Sequence, residues 1–307
     1  MTTQPTISIA MATYNGARFL TKQLDSLLYQ TYPPHEIIIC DDRSTDETAQ
    51  ILLSYAQKDP RITVIINETN LGFIKNFEKA MVLCQGDLIA LADQDDIWLE
   101  TKLATLVGAM GENSLICSTY TMIDEEDRPL IPTIPLRTRL HLKLFPFAHH
   151  RYSFETSLYF NFVTGCTAMF KRELLTKALP IPNEVGYHDW WIATIALHEK
   201  GIIYLQDPLI FYRQHTNNHT GTKGWEKQSY AKLQQRRLAW MTQSPLFCDD
   251  EKKLIGEAYL YYTDQLTSKY PFKALFLGIK NHRMIWPDSS PLSKIKALFR
   301  LFFSKRL

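Results

Sequence analysis

The stretch that decides the fold is Leu88-Ile89-Ala90-Leu91-Ala92-Asp93-Gln94-Asp95-Asp96-Ile97-Trp98. Its first half is a short apolar run, which is typical of a strand that is covered on both faces of a sheet. The run ends in three carboxylates within four positions, and such a group repels itself unless its charge is compensated. A solvated acidic turn is one interpretation. We expect a divalent cation instead, because hard cations prefer carboxylate oxygens and ligands of open α/β sheets lie at this end of the strands.

The residues before this stretch alternate between predicted strands and predicted helices. Strands are predicted at 7–11, 36–40 and 62–66, and each is followed by a predicted helix. The first helix follows Gly16, has apolar residues on one face and is stopped by Tyr32-Pro33-Pro34; the others are predicted at 46–57 and 73–84. Strands that alternate with helices of about a dozen residues are typical of parallel βαβ units. The first hundred residues therefore predict half of a doubly wound, mostly parallel α/β sheet that is flanked by helices.

Polar side chains follow each of these strands at the point where the strand ends. They are Thr13 and Asn15, then Asp41 and Asp42, then Asn67 and Asn70, then Asp93 and Asp95. Because the carboxyl ends of parallel strands meet at one edge of a sheet, we expect these side chains to line one crevice. The pattern predicts a nucleotide-sized crevice with a metal ion at one end.

Length and composition limit the alternatives. The chain has 307 residues, of which 45% are hydrophobic and 21% are charged, as in ordinary globular proteins. Its net charge of +2 gives no case for binding nucleic acid. The five cysteines form no C-x-x-C pair, so neither a disulfide framework nor a zinc site is indicated. The N-terminus lacks the features of a signal peptide, and no apolar run is long enough to span a bilayer, so we expect a cytoplasmic protein.

The second half of the chain is less regular. We predict strands at 115–119, at 162–170 with an interruption by a glycine, and at 202–206, after which Asp207-Pro208 turns into the segment 209–215. Helices are predicted at 172–178, 186–200, 226–242, 250–268, 271–283 and 292–303. Residues 131–153 form a long loop that faces either solvent or an acceptor or membrane. We predict one domain over residues 1–224, with a nucleotide-binding half (1–110) and a catalytic half (111–224). A helical region over 225–307 follows it.

A set of short motifs occurs in a recognisable order. In the first half it comprises Thr13-Tyr14-Asn15, Asp41-Asp42-Arg43-Ser44-Thr45-Asp46, Asn70-Leu71-Gly72 and Asp93-Gln94-Asp95-Asp96. In the second half it comprises Gly165-Cys166, His188-Asp189-Trp190-Trp191 and Tyr212-Arg213-Gln214-His215 with Asn218. This set resembles the family 2 glycosyltransferases, which have the GT-A fold. It is most similar to the bacterial rhamnosyltransferase-type members that build surface polysaccharides, and the resemblance covers about residues 6–221.

The resemblance implies which residues hold the donor nucleotide. They are Thr13, Tyr14, Asn15, Asp42 and Asn70, at the ends of the first three strands. A carboxylate can accept a hydrogen bond from a pyrimidine N–H, which gives Asp42 its role.

The resemblance also implies a metal site. Asp93 and Asp95 would form the D-x-D element, with Asp95 as the direct ligand of a Mg²⁺ or Mn²⁺ that offsets charge on the leaving diphosphate. Lys75 either reaches the phosphates or lies on a solvated helix face. Arg213 and His215 either contact the diphosphate or support the structure.

The catalytic base implied by the resemblance is Asp189, which would take the proton from the acceptor hydroxyl. His188 stands where many relatives have a glutamate, so it could alter the pKa of Asp189 or contact the acceptor sugar. Trp190 and Trp191 either stack on a sugar or pack in the core.

The C-terminal tail has a pattern of its own. From Lys294 onward it carries basic residues and no acid, while Ile295, Leu298, Phe299 and Phe302 recur at helical spacing. A basic amphipathic helix suits the surface of an anionic membrane. The alternative is a terminal helix that packs on the domain.

Together these patterns predict an inverting, metal-dependent glycosyltransferase. It would move a sugar, with rhamnose from dTDP-rhamnose as the first choice, onto a growing lipid-linked polysaccharide of the O-antigen or capsule type. It would lie at the inner face of the cytoplasmic membrane. Two alternatives stay open: a nucleotidyltransferase such as an NDP-sugar pyrophosphorylase, for which residues 12–18 make a poor triphosphate loop, and an inactive sugar-binding or scaffolding homologue.

Overall fold

The structure, a computed structural model, describes residues 4–130, 153–216, 227–268, 271–281 and 285. It divides into two compact units whose segments alternate along the chain. The first consists of Met1–Leu144, Val163–Ile181 and Tyr187–Thr222, and the second of Phe145–Phe162, Pro182–Gly186 and Lys223–Leu307. The last change between units falls beside the predicted domain boundary at residue 224, which stays a prediction.

The first unit contains an eight-stranded sheet. Its strands are β1 (Ile7–Thr13), β2 (Glu36–Asp41), β3 (Ile62–Ile66), β4 (Leu88–Ala92), β5 (Ile97–Trp98), β6 (Leu115–Ile123), β7 (Ala168–Lys171) and β8 (Ile202–Arg213), in the order β3-β2-β1-β4-β7-β6-β8-β5. The first four strands pair in parallel, as do β6 and β8. Strand β7 is antiparallel to both neighbours, and β5 is antiparallel to β8. The predicted fold class, a mostly parallel α/β sheet with flanking helices, is confirmed.

The helices complete both units. They are α1 (Ala17–Leu28), α2 (Thr48–Lys58), α3 (Phe73–Leu83), α4 (Lys102–Met110), α5 (Phe154–Ser157), α6 (Leu175–Ala178), α7 (His188–His198), α8 (Lys227–Gln243), α9 (Asp249–Thr267) and α10 (Phe272–Lys280). The first unit contains α1 to α4, α6 and α7. Its core forms where apolar helix faces, such as Leu20, Leu24 and Leu27 of α1, pack against strands that include the fully buried β4.

Two local predictions for the second half of the chain were wrong. The strand predicted at 162–170 begins only at Ala168, because Gly165–Thr167 forms a 3₁₀ turn and the Gly165 N–H turns away to the Asp189 carboxylate. The turn predicted at Asp207-Pro208 lies inside the continuous strand β8, where its pairing with β6 shifts register. A proline, which has no N–H, is tolerated at such an irregularity.

The second unit contains α5 and the helices α8 to α10. A buried Arg237 on α8 donates to the carbonyl oxygens of Ser157 and Leu158, each over 3.0 Å. The hydroxyl of Tyr262 on α9 donates to the carbonyl oxygen of Tyr159 over 3.0 Å. These bonds tie the segment after α5 to both long helices, because buried polar groups need partners.

The helices predicted near 226–242, 250–268 and 271–283 are confirmed by α8, α9 and α10. Four predictions fall outside the described residues. They concern the helix at 292–303, the basic tail, Asn218 and all but the last residue of the 131–153 segment. Within the described ranges, no helix is both long and apolar enough to cross a membrane.

Candidate active site

A cavity of about 690 Å³ lies at the carboxyl ends of the parallel strands of the first unit. Fourteen residues were predicted to form the site, and the structure brings ten of them to the wall of this cavity. The ten are Thr13, Tyr14, Asn15, Asp42, Asn70, Asp93, Asp95, His188, Asp189 and His215. The expectation that polar strand ends would converge therefore agrees with the geometry, because parallel strands present their carboxyl ends at one edge.

Asn15 holds two loops together beside the cavity. Its side-chain oxygen accepts from the Thr45 N–H over 2.8 Å, and its own N–H donates to the Ser44 hydroxyl over 2.8 Å. Asn15 adopts φ 49°, a conformation that asparagine tolerates better than most residues. The neighbouring Tyr14 is half exposed on the cavity wall.

Asp42 orders the loop that follows β3. Its carboxylate accepts from the backbone N–H groups of Leu71 (2.7 Å) and Gly72 (2.8 Å) and from the side-chain amide of Asn67 (2.9 Å). Oδ1 takes two of these bonds and Oδ2 takes one, so Oδ2 keeps acceptor capacity for a ligand. The side chain of Asn70 donates to the Asp42 carbonyl oxygen over 3.1 Å, which fixes the same loop from its other side.

Gln94, within the acidic motif, was not predicted to belong to the site. Its side chain accepts from the Tyr14 N–H over 2.8 Å and donates to the Tyr14 carbonyl over 3.0 Å. It therefore fixes the backbone of Tyr14, which lines the cavity. Gly16 makes room for the Gln94 side chain, since a Cβ there would lie 2.3 Å from the Gln94 amide oxygen.

The carboxylates of the acidic motif divide into two layers. Asp93 and Asp95 line the cavity, whereas Asp96 is fully buried behind them and accepts from the Arg213 N–H over 3.0 Å. Burial, together with the charges of Asp95 and Asp189, raises the pKa of Asp93 to about 7. Burial and the neighbouring carboxylates also raise the pKa of Asp96 well above its usual range. The cluster has more negative charge than its surroundings compensate.

The cavity-facing layer fits a hard divalent cation. Asp93 and Asp95 offer carboxylate oxygens, and His215 Nε2 lies 2.8 Å from Asp95 Oδ2, which orients that carboxylate. Carboxylate oxygens suit Mg²⁺ and Mn²⁺. The uncompensated charge that raises the pKa of Asp93 is the charge that a cation would offset.

The buried layer fits a hard cation less well. Donor atoms of Asp93, Asp96 and Cys166 lie within 4.8 Å of one another. Burial raises the pKa of the Cys166 thiol, which therefore stays protonated, and sulfur is a poor ligand for Mg²⁺. A buried amine already lies there, since Lys102 Nζ donates to the Cys166 carbonyl over 2.6 Å and lies 3.1 Å from the centroid of the Trp98 ring. Burial lowers the pKa of Lys102 to about 7. Neither Asp96 nor Lys102 was predicted as part of the site.

Asp189 lies at the start of α7, where the helix dipole favours a carboxylate. Its Oδ2 accepts from the Gly165 N–H over 3.1 Å, and its Oδ1 accepts from the Trp190 N–H over 2.6 Å. Both bonds hold the carboxylate in one orientation at the cavity wall. The geometry is compatible with a general base.

Four predicted residues lie off the cavity. Arg213 is buried behind the acidic motif, where it donates to the Asp95 carbonyl over 2.7 Å and pairs with Asp127 at 2.5 Å. Trp190 and Trp191 are buried in α7. Lys75 donates to Glu78 (2.9 Å) and to the Ile181 carbonyl (2.8 Å). For these four, packing and internal hydrogen bonds occupy the side chains, which favours the structural alternative over ligand contact; the ligand contacts stay predictions.

Comparison with known proteins gives the class of protein. The family model described as glycosyl transferase family 2 matches residues 8–179, which is more than half of the chain. The chain therefore belongs to glycosyl transferase family 2 and is a glycosyltransferase.

Three relatives illustrate the similarity. The chain is 30% identical over 246 residues to the dTDP-rhamnosyl transferase RfbG of Shigella flexneri, covering 75% of this chain and 80% of RfbG. The structure of S. aureus TarS 1-349 in complex with UDP-GlcNAc superimposes with a TM-score of 0.63 at 17% identity, covering 98% of this chain and 82% of the TarS 1-349 chain. The mannosyltransferase PcManGT of Pyrobaculum calidifontis, in complex with GDP-Man and Mn²⁺, gives a TM-score of 0.58 at 19% identity, with 99% and 83% covered. The two structural similarities support the fold.

Proposed function

We propose that this glycosyltransferase is an inverting, metal-dependent enzyme that transfers a sugar from a nucleotide-sugar donor to a growing surface polysaccharide. One observation carries the proposal: a single cavity joins the polar strand-end loops, the cavity-facing pair Asp93 and Asp95, and the carboxylate of Asp189. That is the set of groups that a nucleotide, its diphosphate and a reacting hydroxyl need. Because RfbG is named a dTDP-rhamnosyl transferase, rhamnose from dTDP-rhamnose is the first donor to test.

The donor nucleotide would occupy the side of the cavity formed by the first two strand ends. The exposed ring of Tyr14 offers a stacking face for the base, and Asp42 Oδ2 retains acceptor capacity for a base or ribose donor. Asn15 and Asn70 position these two residues through the loop contacts described above, and the Thr13 carbonyl oxygen accepts from the Asp42 N–H over 2.8 Å.

The transfer step would rely on Asp189. Its carboxylate takes the proton of the acceptor hydroxyl as the oxygen attacks the anomeric carbon, while the bond from that carbon to the diphosphate oxygen breaks. A single displacement of this kind inverts the anomeric configuration. The Gly165 N–H, which already donates to Asp189, holds the carboxylate in place during proton transfer.

A divalent cation, Mg²⁺ or Mn²⁺, is part of the proposal. Asp95 and Asp93 would hold it, with His215 beside them, and when bound it would offset charge on the departing diphosphate. The compatible donor set, the uncompensated charge at Asp93 and the Mn²⁺ in the PcManGT complex support this assignment.

The acceptor is proposed to be a lipid-linked glycan of the O-antigen or capsule type. The basic amphipathic pattern from Lys294 to the C-terminus supports a peripheral position on the inner face of the cytoplasmic membrane. The acceptor would then be presented at the surface where the enzyme is held.

Thermal-shift binding of UDP, dTDP, GDP and CDP, each with and without Mn²⁺, tests the proposal. We expect one nucleotide to raise the melting temperature in a metal-dependent way, and an Asp95→Asn variant to lose that dependence. Transfer from the sugar donors of the selected nucleotide is then measured. If no nucleotide stabilises the protein with or without metal, the proposed donor site is wrong.

A further inference from the structure

One side of the cavity, beside Asp189, is aromatic. Phe73 and Phe77 of α3 meet Tyr187 and His188 at the start of α7, and all four line the cavity. The His188 ring stacks on Phe77 with centroids 4.1 Å apart and planes 21° apart. Phe73 contacts both of the other rings, with centroids 5.7 Å from Tyr187 and 6.1 Å from His188. We call these four residues the aromatic wall.

His188 behaves as an apolar member of this wall. Both of its ring nitrogens are buried, and neither has a hydrogen-bond partner in the described part of the chain. Burial lowers the pKa of His188 to about 3, so the ring is neutral at physiological pH. Because the nitrogens are covered, they add no polar surface to the cavity. His188 thus adds no charge beside Asp189.

We propose that the aromatic wall selects the transferred or accepting sugar, and that it fits the apolar C–H face and methyl group of a 6-deoxyhexose. This inference rests on the proposed transfer from a nucleotide sugar. Sugar rings bury their C–H faces on aromatic side chains, and apolar walls with few polar groups are the usual lining of ligand pockets. A 6-hydroxyl placed against the rings of Phe73, Phe77 and His188 would lose its water without gaining a hydrogen bond.

The expected selectivity is moderate. An apolar surface rejects a ligand that merely adds a hydroxyl by roughly 10- to 100-fold in kcat/KM. The matched probes are dTDP-L-rhamnose and dTDP-L-mannose, which differ only in the hydroxyl on C6. If the wall holds the acceptor instead, the same preference should occur between methyl α-L-rhamnoside and methyl α-L-mannoside used as acceptors with a fixed donor. The two arms therefore distinguish the sources of the 6-deoxyhexose.

Two substitutions at one position test the apolar role of His188. His188→Phe keeps an apolar ring and should preserve the preference ratio within about threefold. His188→Gln adds an amide that can bond the C6 hydroxyl, and it should lower the ratio by about tenfold. The reverse order, with the glutamine variant selective and the phenylalanine variant unselective, would show that the imidazole is a hydrogen-bonding group and would overturn the proposal.

Controls separate selection from folding. His198, at the other end of α7 and off the cavity, receives the same two substitutions, and the ratio should not change. If the His188 variants fold poorly, Phe73→Ser provides a second test. It places a hydroxyl in the half-buried part of the wall and should also lower the preference ratio. Equal kcat/KM for both sugars in both arms refutes the inference. If no nucleotide stabilises the wild type, or if the wild type transfers sugar from no nucleotide sugar, the proposed function is refuted instead.

Discussion

The negative charge of the acidic motif predicts how Asp93→Asn changes the pH dependence of the free energy of unfolding. Burial and the charges of Asp95 and Asp189 raise the pKa of Asp93 from 3.8 to about 7. In the unfolded chain the same group titrates near its ordinary value. Between these two pKa values the native state holds a proton that the unfolded state has released, so the free energy of unfolding of the metal-free protein falls as pH rises from about 4 to about 7.

The size of the pKa shift of Asp93 sets the expected change in the free energy of unfolding. One pKa unit corresponds to about 1.4 kcal/mol, so ionising Asp93 in the native state lowers the free energy of unfolding by about 4 kcal/mol if the group is fully buried. Its partial exposure reduces this to about 2 kcal/mol. Asparagine has no proton to lose. The Asp93→Asn variant should therefore be about 2–4 kcal/mol more stable than the wild type at pH 8 without metal, which for a chain of this size is roughly 3–6 °C in Tm. The difference should disappear near pH 4.

The assay is thermal and urea unfolding of both proteins, followed by tryptophan fluorescence from pH 4.5 to 8 in a chelating buffer. Adding Mn²⁺ at about 100 times its Kd should stabilise the wild type by about 2.7 kcal/mol and the variant by less. Glu68→Gln, in the exposed loop after β3, serves as the control and should leave the pH profile unchanged. A wild-type-to-Asp93→Asn difference that is constant across this pH range would refute the reasoning.

Three further predictions address the base, the second unit and the tail. Asp189→Asn should lower kcat, measured by a transfer assay, at least about 100-fold, while the Kd for the nucleotide, measured by calorimetry, stays within about threefold. Loss of both transfer and nucleotide binding would mean a structural role. Gly186→Ala should lower the Tm of the second unit, because φ is +80° there and the new Cβ would lie 2.3 Å from Leu233 Cδ1; an unchanged Tm would contradict this. Truncation before Lys294 should abolish flotation with anionic liposomes, and unchanged flotation would remove the tail from the membrane proposal.

Hydrophobic periodicity alone determined most of the first unit. The strands β1 to β4 and the helices α2 and α3 agree with the predicted segments within about two residues, and α1 begins after Gly16 as predicted. Strands and helices differ in their hydrophobic period, and a βαβ chain has few ways to pair its strands. The same pattern placed polar residues at one sheet edge, which is why most predicted site residues converge on the cavity.

The sequence was less informative where contacts between distant segments decide the outcome. Periodicity could not show that the Gly165 N–H would bond to Asp189, and so it predicted a strand in place of the 3₁₀ turn. The order of the motifs identified Arg213 as a candidate site residue, but only the tertiary structure showed that its guanidinium lies behind the acidic motif.

The sequence by itself determined the class of fold, the family and the residues available for chemistry, because these depend on local patterns and on motif order. The tertiary structure decided how those residues divide. In the structure, Asp96 and Lys102 lie in a buried layer behind the cavity-facing carboxylates. The Gln94 side chain is hydrogen-bonded to the Tyr14 backbone, and His188 stacks on Phe77. The physical reason is that burial, which sets both the pKa of a group and its access to a ligand, depends on neighbours that are distant in the chain.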